Sequence, residues 1–258
     1  MGLRHRLAND APDFALALQF LTRLPVPEVE FSEAAAKRSV GWYPGVGLVV
    51  GAVTAGVFCL AALVVPQIMA ALIAVAAGLV LTGALHEDGL ADLCDGLGGG
   101  RGDPARALEI MRDSRIGAYG AIGLGMALAL RVMALALMPV WVVPGALIIG
   151  AAVSRASMVR AMSDVNYVRA QGAGSALAGA MAKPVLHRAL ITAAVVAVLG
   201  WPLFGFWAGM SGVLGLAAAH LGLRRIYEPR LGGYTGDCLG AVQIVSEVGF
   251  LVGLLAGM

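Results

Sequence analysis

The chain has 258 residues, 59% of them hydrophobic and 13% charged, with a formal net charge of +2 and a mean hydropathy of +0.84. A soluble domain is about half apolar and roughly one quarter charged, so this composition excludes a disordered chain, a disulfide-rich secreted scaffold and an ordinary soluble α/β enzyme. It leaves an all-α, polytopic transmembrane helix bundle.

In chain order, residues 1–10 are polar, and residues 14–24, which include Arg23, are too short and too polar to cross a bilayer. They predict an interfacial or re-entrant helix and no cleaved signal, so insertion is expected to depend on the spans. From Ser39 to Leu85 there is no charge, and Pro66 breaks the run into spans at about 40–65 and 68–85. Residues 116–154 carry only Arg131 and give two more spans around a break at 138–144. Residues 189–223 give two short spans around Gly200-Trp201-Pro202, and 238–258, with only Glu247, a seventh. An Arg131–Glu247 ion pair between helices is the expected fate of these two intramembrane charges. Glycines such as Gly47, Gly51, Gly120 and Gly123 read as close-packing positions.

The turns near Pro66, 139–144 and 200–206 hold no Lys or Arg, whereas the alternate loops hold nearly all eighteen. The positive-inside rule therefore places those loops in the cytoplasm, with Trp141, Trp201 and Trp207 at the opposite interface. One membrane domain, 1–258, is expected, with cytoplasmic active-site segments at 86–117, 155–188 and 224–237. Cys59, Cys94 and Cys238 have no metal-type spacing and suggest no disulfide framework.

The chemistry concentrates in His86-Glu87-Asp88-Gly89-Leu90-Ala91-Asp92-Leu93-Cys94-Asp95-Gly96. Asp88, Asp92 and Asp95 stand at i, i+4 and i+7, one face of a helix. Three mutually repelling carboxylates there are explained by a shared divalent cation. Mg²⁺ takes oxygen ligands and bridges carboxylates to substrate phosphates. Glu87 lies off that face, as a bystander. His86 is a base, a ligand or a satisfied interfacial histidine.

Arg112-Asp113-Ser114-Arg115 at the mouth of the third span suits a phosphate clamp or a positive-inside anchor. Gly232-Gly233-Tyr234-Thr235-Gly236-Asp237 opens the last helix. It reads as a phosphate site with one more hard oxygen ligand, or as a simple cap with Asp237 at the N-cap position. Gln243 and Glu247 follow on roughly one face. The loop 164–183 is expected to be mobile and to cover a large polar substrate. Together these features predict phosphoryl or phosphodiester transfer on one side of a membrane. The CDP-alcohol phosphotransferases share an acidic motif at helical spacing, but with an Ala-Arg and a longer spacing that this sequence lacks.

The motifs His86-x-Asp88-Gly-Leu-Ala-Asp92-x-x-Asp95-Gly, Arg106-Ala-Leu-Glu-Ile-Met-Arg112-Asp-Ser-Arg-Ile-Gly117 and Thr235-Gly-Asp237-x-Leu-Gly-Ala241-x-Gln243 resemble the cobalamin (5′-phosphate) synthase family. Residues 20–27 and 44–47 resemble its N-terminal region, and the likeness runs from Phe20 to Glu247. The resemblance implies a multi-pass enzyme of the bacterial inner (cytoplasmic) membrane. It would join adenosylcobinamide-GDP to α-ribazole or its 5′-phosphate and release GMP at the cytoplasmic face. Further implied are Mg²⁺ on Asp88, Asp92, Asp95 and Asp237, and catalysis by His86, Asp88, Asp92 and Asp95. Arg112, Asp113, Ser114, Arg115, Thr235 and Gln243 would bind phosphate. Partners would be the two substrates, membrane lipid and, in a homo-oligomer, a second copy, with no nucleic acid. A lipid-headgroup phosphotransferase and a proton-coupled transporter using Arg131 and Glu247 are the competing expectations.

Overall fold

The computed structural model describes residues 3–163, 165–168 and 181–258. Among them the chain is helical apart from its loops and one isolated pairing of Tyr167 with Tyr234. Helix α1 (Leu3–Leu21) and the short α2 (Glu33–Ser39) precede α3 (Tyr43–Ala62) and α4 (Gln67–Thr82). Next come α5 (Leu85–Gly99), α6 (Pro104–Ile110), α7 (Ala118–Leu137) and α8 (Val143–Ala161). The chain ends with α9 (Lys183–Phe204), α10 (Phe206–Leu231) and α11 (Gly236–Ala256).

Local chemistry sets these boundaries. Proline stands in the first turn of α3, α6, α8 and α9, where its missing N–H costs nothing. Ser32, Asp103 and Thr235 cap α2, α6 and α11 through their side-chain oxygens. Helix α4 stops because Gly83 and Ala84 both adopt the left-handed conformation, with φ of 65° and 55°. The following helix, α5, therefore leaves at 91° to α4.

Small residues let the long helices touch backbone to backbone. On α3, a Cβ at Gly51 would lie 2.5 Å from Ile148 Cα of α8, and Gly47 meets Ala151 in the same way. This is the usual means of association where lipid is as apolar as leucine.

Among the described residues, five stretches are long and apolar enough to cross a membrane: Glu33–Ala62, Ala118–Leu137, Lys183–Phe204, Phe206–Leu231 and Gly236–Ala256. These mark a multi-pass membrane protein. The bent pair α4 and α5 supplies a sixth if taken together. The seven expected segments are all helices, but two differ in kind. The 16 residues of α4 rise only about 24 Å. Helix α8 continues to Ala161 and carries Arg155, 2% exposed, among its many buried residues. Arg155 thus belongs to the bundle interior and not to a loop.

The expected division of the two ends is present in the packing. At one end, Gln67 Nε2 donates to the carbonyls of Leu135 and Met138, and Gly145 packs near Leu203 and Phe204, so the three uncharged turns cluster. At the other, Arg188 pairs with Asp10 at 2.8 Å and stacks over Trp42. Arg38 grips Asp13 there through two hydrogen bonds.

Candidate active site

Helix α5 carries the acidic motif along the charged end of the bundle. Its buried side includes His86, Glu87, Gly89, Leu90, Leu93, Asp95 and Gly96, while Asp88 is exposed and Asp92 half-buried. Gly89 is where α5 meets the first turn of α11. A Cβ there would lie 2.9 Å from both Cα and the carbonyl oxygen of Asp237, so only glycine permits this approach. One turn back, Gly240 packs at a similar distance against the His86 backbone. These two contacts put Asp237 against the part of α5 that bears Asp88 and Asp92.

Asp95 does something else. Its Oδ2 accepts from Gly117 N at 2.7 Å and its Oδ1 from Gly120 N at 2.8 Å. The carboxylate satisfies two of the unpaired N–H groups at the start of α7 and opposes the positive end of that helix. Of the expected shell of Asp88, Asp92 and Asp95, the third acid is thus engaged with a neighbouring helix while the first is exposed. Among the described residues no three His, Cys, Asp or Glu side chains are arranged as a ready-made metal site.

Behind this face lies a polar cluster inside the bundle. Arg131 of α7 donates from Nη1 to Glu87 Oε1 and from Nη2 to Glu247 Oε1, each at 2.9 Å. The Arg131–Glu247 pair is thus present, and Glu87, expected to be a bystander, is its other partner. Gln243 is 2% exposed. It donates to Glu247 Oε2 at 2.7 Å and to Ser154 Oγ at 2.9 Å. Its expected place beside substrate phosphate gives way to one inside the bundle. His86 lines the same small cavity with Thr54, Thr82 and Arg155. Its Nε2 has no hydrogen-bond partner, and the ring lies inside and not beside the exposed acids.

A second buried chain joins Ser157 Oγ to His220 Nδ1 and to Ser246 Oγ, both at 2.7 Å. His220 Nε2 faces Arg224 Nη1 at 3.3 Å. An arginine can only donate in such a contact. Nothing in the spacing of these three residues signals the contact, since they come from α8, α10 and α11.

The basic loop is solvent-facing. Arg112, Asp113, Ser114 and Arg115 are all exposed. Arg106, Glu109, Arg112 and Asp113 line an open groove of about 770 Å³. Arg115 Nη2 donates to Asp113 Oδ2 at 2.6 Å. Those hydrogen bonds hold the Asp113 carboxyl below its ordinary range, at about 2. The two arginines are consequently unlike, Arg115 folded onto its own loop and Arg112 facing the groove.

Thr235 is fully buried and caps α11 by accepting from Cys238 N. Thr235, and not Asp237, is the N-cap, which leaves Asp237 in the first turn. The segment before α11 is further tied by Val168 N donating to Tyr234 O and Tyr234 N to Asn166 O, both at 3.0 Å. Of the expected cover at 164–183, residues 164 and 169–180 lie outside the described residues.

The family model for cobalamin-5-phosphate synthase matches residues 13–255. A protein of Ralstonia pickettii (strain 12J) named adenosylcobinamide-GDP ribazoletransferase is 42% identical over 250 residues, covering 94% of each chain. One of the same name from Rhizobium etli (strain CIAT 652) is 37% identical over 261 residues, covering 98% of this chain and 100% of its own. A third, from Ralstonia nicotianae, is 43% identical over 93% of both. No solved structure matches the chain. A match across nearly the whole length, joined to the acidic α5 and the threonine-capped α11, shows that the chain belongs to the cobalamin-5-phosphate synthase family.

Proposed function

We propose that this chain is a Mg²⁺-dependent transferase that joins adenosylcobinamide-GDP to α-ribazole or its 5′-phosphate, at the cytoplasmic face of the bacterial inner membrane. The relatives' shared name supports the substrates. The observation that carries the chemistry is the approach of Asp237 to the acid-bearing turn of α5 at Gly89.

Magnesium keeps several waters and is usually held by one or two carboxylates plus substrate phosphates, seldom by an all-protein cage. Asp88, Asp92 and Asp237 fit an open site of that type, which substrate completes. Asp95, bonded through both oxygens to the α7 N-terminus, does not. When bound, the ion would neutralise charge on the diphosphate and draw electrons from the reacting phosphorus.

The chain's own residues supply binding and proton handling. Arg112, facing the groove, grips phosphate oxygens by charge-assisted hydrogen bonds. The backbone N–H groups at the start of α11 present their positive end to the same anion. The α-ribazole hydroxyl oxygen forms a bond to the cobinamide-linked phosphorus as the bond from that phosphorus to the GMP oxygen breaks. The hydroxyl proton passes to Asp88, the exposed acid, and GMP leaves as the phosphate monoester.

Purified full-length protein in liposomes, given Mg²⁺, adenosylcobinamide-GDP and α-ribazole, should release GMP and form a cobalamin detectable by mass. Consumption of CDP-diacylglycerol with no GMP release would overturn the proposal in favour of a lipid-headgroup phosphotransferase. Substrate flux into the liposomes without chemical change would overturn it in favour of a transporter.

A further inference from the structure

The Arg131 cluster has more order than an ion pair buried for its own sake requires. The Arg131 side chain is 11% exposed and those of Glu87 and Glu247 are 7% and 6%. Removing three such groups from water costs several kcal/mol per ion, and apolar replacements of similar volume are often neutral or stabilising. Stability alone therefore gives no reason for them. Their placement does. Glu87 precedes Asp88 on α5, and Glu247 lies on the same helix as Asp237. Arg131 belongs to α7, whose N-terminus is held by Asp95 of α5. Helix α5 is thus fastened to α7 at two points eight residues apart, and α11 is fastened to the same guanidinium.

We propose that Arg131 is a positioning residue, which by pairing with Glu87 and Glu247 together fixes the rotation of α5 against α11 and so the mutual placement of Asp88, Asp92 and Asp237. This rests on the reading of those three acids as the Mg²⁺ site. A rotation of α5 about its axis would carry Asp88 away from Asp237, and the fork of the guanidinium resists it because its two terminal nitrogens are spent on different helices. Lysine, with one compact charge, cannot reproduce that double grip.

The test uses the full chain in detergent, with Mn²⁺ alone as the probe, followed by electron paramagnetic resonance. Thermal unfolding and the kcat and KM of the transferase reaction accompany it. Arg131→Gln leaves two buried carboxylates facing Arg155 alone and is expected to lower thermal stability as well as Mn²⁺ binding. The informative protein is the triple variant E87Q/R131M/E247Q, which removes every charge of the clamp. Its melting temperature should stay below wild type, because Arg155 keeps its buried charge without the two carboxylates that oppose it, so Mn²⁺ is titrated well below that transition. Its Mn²⁺ affinity should remain about tenfold or more below wild type, as for other groups that orient metal ligands, with a fall in kcat larger than any rise in KM. Arg131→Lys should fall between. A triple variant that binds Mn²⁺ as wild type does would overturn the positioning role alone. A wild-type protein that binds no Mn²⁺, or an Asp92→Asn variant that binds it unchanged, would overturn the metal reading and this inference with it.

Discussion

Replacing Asp95 by Asn separates the two jobs a carboxylate can hold in this motif. Both Asp95 oxygens accept backbone N–H groups of α7, at 2.7 and 2.8 Å. Asparagine keeps one acceptor oxygen and turns an NH₂ group toward the second N–H, so one bond is lost and a donor faces a donor. A hydrogen bond to a charged group contributes about 1.5–3 kcal/mol, and the lost negative charge at a helix N-terminus about 0.3–1 kcal/mol more. The expected loss is about 2–4 kcal/mol of stability. It should be read as a lowered melting temperature of the purified protein by circular dichroism in detergent. Measured well below that transition, Asp95→Asn should bind Mn²⁺ as wild type does and keep turnover in proportion to its folded fraction. Asp92→Asn, measured well below its own melting transition, should lose Mn²⁺ binding and turnover. If Asp95→Asn melted like wild type yet lost metal binding, the cap assignment would be wrong and Asp95 would return to the metal shell.

Gly89→Ala should reduce turnover while the helical signal persists. Its Cβ would stand 2.9 Å from the Asp237 main chain, and backbone cannot yield without moving α11, an overpacking of about 1–3 kcal/mol. Arg112→Ala should raise the KM for adenosylcobinamide-GDP about tenfold or more, the equivalent of one charge-assisted hydrogen bond, whereas Arg115→Ala, whose guanidinium is already on Asp113, should change it less. The Asp113 carboxyl is held at about 2, below its ordinary 3.8. The stabilisation of its loop is therefore complete above the unfolded value and lost only as pH falls through about 2. The pH–rate profile of Asp113→Asn between pH 5 and 9 should accordingly keep the wild-type shape.

Much of the architecture follows from patterns that a single helix carries. Long apolar runs, the break at Pro66, the glycines of α3 and the sorting of arginines to one end each depend on near neighbours in sequence or on the bilayer, and each has its counterpart in the helices and their contacts. The break expected at Gly200-Trp201-Pro202 falls instead at Gly205, because α9 continues through Pro202 to Phe204. The site is less transparent because its partners come from separate helices. Helical spacing places Asp88, Asp92 and Asp95 on one stripe, but spacing knows nothing of the α7 N-terminus, whose free N–H groups at Gly117 and Gly120 claim the third acid. Glu87 reads as a bystander for the same reason. Its role exists only because Arg131, 44 residues later, reaches it together with Glu247. The one signal that pointed there was charge itself. An arginine and a glutamate isolated within apolar runs demand counter-charges, and the two helices that provide them are those that carry Asp88, Asp92 and Asp237. On the proposed reading, the buried clamp and the acids on the same pair of helices form one mechanical unit, in which charges kept from substrate decide where the charges that meet it are held.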